Sequence, residues 1–265
     1  MSTRTHPIVV AFTMLQGLRT QSQLPQADPT MRFLSFCATF HERSHAQFFQ
    51  DLLVLYLLRG KREGFFVEFG ATNGVELSNS LLLERDYGWR GILAEPGRTW
   101  HAELVENRKA TIDHRCVWSK TGETLLFNET PAAELSTIES FSELDYARDG
   151  RRDGKRYQVE TVSLNDLLAA HNAPRRIDYL SVDTEGSELE ILNHFDFSRH
   201  EVSVMTIEHN YVDENRRKMR QLMRRNGFAN IFEPLSGVDD WYVHQSVLDV
   251  AGGAMPAGPG PEFKV

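Results

Sequence analysis

Carboxylates recur directly behind short apolar runs in this sequence, and glycine, histidine and asparagine accompany them. The first such stretch is Val67-Glu68-Phe69-Gly70-Ala71-Thr72-Asn73-Gly74. Gly70 and Gly74 permit a tight turn and a close approach of ligand to backbone. Glu68 bears on what that ligand is. A carboxylate here repels a pyrophosphate but attracts a ligand with ammonium and sulfonium groups. The middle glycine of the dinucleotide fingerprint is also missing, because Thr72 follows Ala71. These features favour S-adenosylmethionine over a dinucleotide, with Glu68, Gly70, Asn73 and Gly74 as candidate cofactor-binding residues. A glycine-rich strand-to-helix turn without any ligand remains the plainer alternative.

Glu95, in Ile92-Leu93-Ala94-Glu95-Pro96, is placed to accept hydrogen bonds from two ribose hydroxyls. Val117, in the stretch Asp113 to Ser119, is a candidate adenine contact, with Cys116 and Trp118 as core packing. A fourth run ends in Ser181-Val182-Asp183-Thr184-Glu185-Gly186-Ser187-Glu188, and a fifth in Ile207-Glu208-His209-Asn210. Ligands of open α/β sheets sit beyond the carboxyl ends of the strands, so Asp183, Glu208 and His209 share a rim with Glu68 and Glu95. Two chemistries suit that rim. Asp183, Glu208 or His209 could take a proton from an acceptor hydroxyl. Alternatively Asp183 and Glu208, with Asn210 or His209, could hold a divalent cation such as magnesium. A hydrogen-bonded polar cluster capping the next helices is the bland reading.

The elements that position these residues alternate. Strands are expected at 65–69, 91–94, 111–118, 124–127, 177–182, 202–207, 228–232 and 241–243. Helices are expected at 31–59, 75–86, 99–107, 164–170, 187–195 and 213–226, with Ser44 as a cap and Gly60 as a stop. This order implies a mainly parallel sheet of seven strands with helices on both faces. The last two strands have no helix between them, so the terminal strand is antiparallel. That is a Rossmann-like α/β fold of the class I methyltransferase type. Residues 1–30 read as an irregular arm, 31–248 as one domain and 249–265 as a disordered tail. The polar stretch 128–158, with Phe141 and Tyr146, exceeds ordinary loop length and is a candidate lid.

A net charge of -8 over 265 residues argues against nucleic acid as partner. No run reaches the roughly 18 apolar residues of a membrane helix. Two cysteines give no disulfide framework, and the cytoplasm is the expected location. The basic residues 216–225 follow an acidic first turn, which suits a solvated helix face better than an anion site.

Phe66 to Ala71, Ser78-Asn79-Ser80, Tyr87 to Gly91, Glu95-Pro96, Leu135 to Ile138, Val182 to Glu188 and Glu208-His209-Asn210 together resemble the FkbM family of methyltransferases. The resemblance runs from about Ser44 to Val243. It implies methyl transfer from S-adenosylmethionine to a hydroxyl of a sugar, glycan or other small-molecule natural product. It assigns Glu68, Gly70 and Glu95 to the cofactor, and Gln50-Asp51 to a polar pair that closes over it. In the more distantly similar catechol O-methyltransferases, carboxylates after the fourth and fifth strands bind magnesium, and Asp183 and Glu208 fall at similar places. His209 departs from that pattern. A nucleotide-dependent oxidoreductase and a catalytically silent binding protein on the same fold are the rival readings.

Overall fold

Apolar side chains alternate across the central strands, and each set packs under its own helices. Val67, Leu180, Met205 and Tyr242 belong to one buried cluster with Leu167, Leu168, Ile191 and Met223. Their neighbours Phe66, Tyr179, Val204 and Trp241 belong to a second cluster with Leu52, Leu53, Tyr56 and Leu83. This period-2 division fixes the register, because a one-residue slip would exchange the two faces.

The computed structural model describes residues 28–250. The arm at 1–30 and the tail at 249–265 therefore lie almost wholly outside the described residues. Strands β1 (Phe65–Phe69), β2 (Arg90–Ala94), β3 (Thr111–Asp113), β8 (Arg176–Val182), β9 (Glu201–Glu208), β10 (Phe228–Ile231) and β11 (Asp239–His244) form one seven-stranded sheet. Its order is β10-β11-β9-β8-β1-β2-β3. Neighbours are parallel except for β11, which is antiparallel to both β9 and β10. The Rossmann-like methyltransferase architecture expected from the sequence is therefore the one found. The chain leaves β1 outward through β2 and β3, then returns to β8 on the other side of β1. The order reverses there, and a crevice opens beyond the carboxyl ends of both strands.

Three expected elements differ, each for a physical reason. The helix expected over 31–59 is two helices, Pro29–Phe40 and Gln50–Leu57. Between them the buried Asp51 carboxylate accepts from the Ser44 hydroxyl and the His45 N–H, so Ser44 braces a loop instead of capping a helix. Gly60 does end the second helix, at φ 71° and with its N–H on the Leu55 carbonyl at 2.7 Å. The helix expected from Val75 starts only at Leu81, because residues 78–80 turn inward toward Glu68. The strand expected over 111–118 breaks at Arg115, which Asp113 grips through its N–H and its guanidinium at 2.6–3.0 Å.

Beyond that break, β4 (Cys116–Trp118) joins a second sheet with β5 (Thr124–Glu129), β6 (Thr137–Ile138) and β7 (Lys155–Ser163), in the order β4-β7-β5-β6. The stretch 128–158 is built into this sheet. Arg151, whose side chain is fully buried, ties it down. Its guanidinium donates to Asp145 at 3.0 Å, to the Leu135 carbonyl at 2.8 Å and to Glu185 at 2.6 Å.

Candidate active site

The crevice at the β1/β8 crossing is a cleft of about 1150 Å³, counted to its open mouth. Glu68, Gly70, Glu95, Val117, Asp183 and Glu208 all border it. Asn73, Gly74, His209 and Asn210 do not.

The floor is set by the turn after β1. Gly70 has φ 71°, and a Cβ there would lie 2.1 Å from the Asp183 carbonyl, so this glycine is needed for β8 to approach β1. Gly74, at φ 79°, would meet Arg108 in the same way. The Asn73 side chain accepts from the Val75 and Glu76 N–H groups at 3.0 Å, which shapes the turn from beneath. Asn73 and Gly74 thus build the turn and are not part of the cleft wall.

Glu68 is 2% exposed, and its carboxylate is already engaged. It accepts from the Asn79 N–H at 2.7 Å and from the hydroxyls of Ser78 and Ser80. The buried Arg108 guanidinium stands 3.8 Å away and also donates to both of those hydroxyls. Burial raises the acid of Glu68 and Arg108 opposes that. The expected free negative charge at this position is therefore largely neutralised within the fold. Arg108, 40 residues downstream, carried no local signal in the sequence.

Glu95 is different. Each of its oxygens accepts one backbone N–H, from Thr72 at 2.9 Å and from Gly97 at 2.7 Å. Each keeps an acceptor site that neither bond uses. Burial pushes its acid up to about 7, against those two bonds. Around it the cleft is lined by Pro96, Trp100, Val117 and Phe127. Trp100 was not anticipated; a lone tryptophan before a helix carries no signature.

At the other end, Asp183, Glu185 and Glu208 offer carboxylate oxygens that all lie within 4.8 Å of one another. Among the described residues the one ion pair made to this group is Arg151–Glu185, and Arg151 also serves Asp145. One guanidinium thus faces four carboxyls. Burial holds Asp183 and Glu208 far above the usual carboxylate range; the Glu185 carboxylate adds to the rise at Asp183 and Asp183 to that at Glu208, while a hydrogen bond with Glu208 works against the rise at Asp183. Glu185 is raised to about 7 by burial, with Arg151 opposing. The sequence pointed to Asn210 as the third member; in the structure its amide donates to Glu185 at 3.0 Å, and Glu185 is the third carboxylate of the group. Glu185 sits at φ 58°, an orientation that no sequence pattern announced.

His209 lies outside the cleft. Its Nδ1 accepts the Tyr211 N–H at 3.0 Å, and burial lowers its basicity, with Arg216 adding to the effect. The neutral ring therefore carries its proton on Nε2. A ring in this state donates and does not take up a proton, which argues against His209 as general base.

The stretch 128–158 forms one wall, supplying Leu135, Ser136, Ile138 and Tyr146. Tyr146 is 65% exposed. Burial and the nearby Glu185 and Glu208 carboxyls raise its phenol. Phe141 packs edge-on against Trp118 and lies over Gly186, where an added Cβ would come within 3.1 Å of it. Of the Gln50-Asp51 pair, Gln50 borders the cleft and donates to Asp239 at 2.8 Å.

A family model described as the methyltransferase FkbM domain matches residues 68–229. Among solved structures, the chain is similar to the precorrin-6y C5,15-methyltransferase of Geobacter metallireducens GS-15. The identity is 13% over 68% of this chain and 70% of that one, with a TM-score of 0.35. No curated protein matches the sequence.

Proposed function

Since the chain belongs to the FkbM methyltransferase family, whose domain model covers more than half of it, we propose that it transfers a methyl group from S-adenosylmethionine to a hydroxyl of a sugar, glycan or natural product. The observation that carries this reading is one cleft with Glu95 at one end and the Asp183–Glu185–Glu208 group at the other. S-adenosylmethionine, when bound, supplies a methyl group activated by its positive sulfur. The residues present fit it. Glu95 has one unused acceptor site on each oxygen for the two ribose hydroxyls, and Val117, Trp100 and Phe127 give an apolar berth for the base. The surplus of carboxylates suits a cationic ligand and disfavours a pyrophosphate. That acidity resides in Glu95, Asp183, Glu185 and Glu208, because Glu68 is matched by Arg108.

The protein's part in such a displacement is alignment and exclusion of water. Tyr146, Leu135 and Ile138 cover the cleft from the 128–158 side. Asp183 receives the acceptor's proton at its carboxylate. Its raised basicity makes it a stronger acceptor than an ordinary aspartate once it is deprotonated.

A second reading concerns charge. Three carboxylates this close do not all ionise together unless a cation balances them. An all-oxygen donor set of Asp183, Glu185 and Glu208 fits a hard divalent ion, magnesium or manganese. Such an ion, when bound, would acidify an acceptor hydroxyl at the same rim.

Calorimetric titration with S-adenosylhomocysteine and with NAD tests the main reading. Binding of the first and not the second is expected. The reverse result would restore the oxidoreductase, and silence with both would favour a binding protein without catalysis.

A further inference from the structure

Nine large apolar side chains are exposed among the described residues, and two of them border the cleft, Leu77 and Tyr146. Leu77 belongs to the stretch after β1 that forms the cofactor turn. Tyr146 belongs to the 128–158 wall, at the end where the carboxylate group stands: after partial burial, the Glu185 and Glu208 carboxyls are what raise its phenol. A single exposed tyrosine is ordinary. This one differs in how firmly its backbone is held.

Tyr146 opens the short 3₁₀ helix Tyr146–Arg151. On one side of it, Asp145 caps that helix by accepting the Ala147 N–H at 2.8 Å and is itself gripped by the Arg151 guanidinium at 3.0 and 3.1 Å. On the other side Ala147 is buried. The Tyr146 side chain takes no part in this bracing. Its hydroxyl makes no hydrogen bond, and its ring packs on no other aromatic ring, among the described residues. A buried ion pair therefore fixes the place of a ring that the fold does not use, and the ring stays 65% exposed at the cleft. What the ring offers is one broad apolar face. The carboxylate group offers the reverse: oxygens of Asp183, Glu185 and Glu208 within 4.8 Å of one another, all of them acceptors when ionised. A saturated sugar ring matches both, since it presents C–H groups on a face and several hydroxyl donors on its edge. A flat phenolic ring also stacks but brings fewer donors, and a flexible chain has no face.

We propose that the face of Tyr146 stacks on the C–H face of a sugar ring in the methyl acceptor, and holds that ring so that a hydroxyl on its edge meets Asp183. The proposal rests on the methyltransferase reading and deepens it, by naming a saturated sugar as the acceptor and Tyr146 as the residue that selects it. The ring contact is made in the ground state as well as in the transition state. Its removal therefore falls on KM more than on kcat and spares the cofactor.

The test uses labelled S-adenosylmethionine and the full chain, with the methyl glycosides of mannose, galactose, glucose, rhamnose and fucose as acceptors and catechol as the flat comparison. The wild type should methylate at least one glycoside, with a higher kcat/KM than catechol. For that glycoside, Tyr146→Ala should lower kcat/KM by about tenfold or more, mainly through KM, the order that losing an aromatic contact brings. Tyr146→Phe keeps the ring face and should restore most of the loss. Tyr146→Leu is apolar but has no such face, and should not. S-adenosylhomocysteine affinity and melting temperature should stay at the wild-type values in all three, which a bracing role for the side chain would not allow. Undiminished kcat/KM in Tyr146→Ala would overturn the proposal, as would leucine restoring as much as phenylalanine. So would methylation of catechol alone, or cofactor binding with no glycoside methylated. Failure of the wild type to bind S-adenosylhomocysteine would instead bring down the methyltransferase reading itself. If Tyr146→Ala fails to fold, the leucine and phenylalanine variants decide.

Discussion

Replacing Arg151 with methionine removes a fully buried guanidinium that serves two parts of the fold at once. The wild-type side chain bonds to Asp145 at 3.0 and 3.1 Å, to Glu185 at 2.6 Å and to the Leu135 carbonyl at 2.8 Å. Methionine fills the volume but leaves two carboxyls and a carbonyl without the donor. Removing one partner of a buried ion pair is destabilising by about 3–5 kcal/mol. Glu185 limits the damage, because a carboxyl already raised to about 7 can keep its proton when the arginine is gone. In a domain of this size each kcal/mol lowers the melting temperature by about 2–4 °C. The expected drop is therefore about 6–20 °C if the second sheet and the main sheet unfold together. If the 128–158 stretch opens alone, the melting temperature moves less and trypsin cuts sooner at the exposed Arg148 and Arg152. Arg151→Lys should fall between, since one ammonium does not reproduce the planar fork. Scanning fluorimetry and timed trypsin digestion read both outcomes. A variant that melts within about 2 °C of wild type and digests at the same rate would refute the role given to Arg151.

Three further outcomes are expected. Glu95→Ala removes charged hydrogen bonds to the ribose worth roughly 1.5–3 kcal/mol each before compensation, so S-adenosylhomocysteine affinity should fall at least about tenfold by calorimetry; an unchanged affinity in folded protein would take Glu95 out of the site. Asp183→Asn should lower turnover by about 10²–10⁴-fold while leaving cofactor affinity nearly intact, and manganese titrated by electron paramagnetic resonance should bind wild type but not this variant if a cation balances the group. In metal-free buffer, stability should fall as pH rises from about 5 to 7, because Glu95, Glu185 and Asp239 hold protons up to about 7 that the unfolded chain has already released. His45, His101 and His209, lowered by burial, pull the other way, but they are three against eight raised carboxyls; a melting temperature that climbs over that range would contradict the assignment.

Hydrophobic pattern carried most of the sheet. Phe65–Phe69 has the expected bounds, and strands 177–182 and 202–207 were placed to within a residue or so of β8 and β9, because strands buried on both faces are apolar throughout. Two neighbouring strand ends at a point of reversal then bring Asp183 and Glu208 together with no further information. What pattern could not show is pairing at long range. Glu68 read alone is a free carboxylate, and only the fold brings Arg108 beneath it. Arg151 read alone is one of several basic residues in a polar stretch, and only burial shows it to be the clamp. The helix expected from Val75 failed for the same reason, since the Ser78 and Ser80 hydroxyls and the Asn79 N–H bond to Glu68 and not within a helical turn.

The backbone around the cleft is not relaxed. Thr72, Leu77, Glu185, Asn210 and Tyr211 all have positive φ, between 44° and 58°, a region that is unfavourable for side-chain-bearing residues. Thr72 is held by its N–H on Glu95, Glu185 by Arg151 and Asn210, and Tyr211 by its N–H on His209. Glu95, which restrains Thr72, is thus also the group proposed to bind the ribose. Glu95 accepts from Thr72 and offers its remaining acceptor sites to the cleft; His209 accepts from Tyr211 and keeps its Nε2–H on the far side of the ring. In each, the bond that holds the main chain also sets which face of the side chain remains unused by it. Substitution at either position therefore relaxes a turn as well as removing a contact, and only variants that keep the backbone bond separate the two effects. For Glu95 the fitting companion to alanine is glutamine, which keeps one acceptor oxygen for either Thr72 or Gly97. If ribose binding is the main role of Glu95, glutamine should recover thermal stability well ahead of affinity. Recovery of both in step would mean that the turn, and not the ribose, is what Glu95 serves.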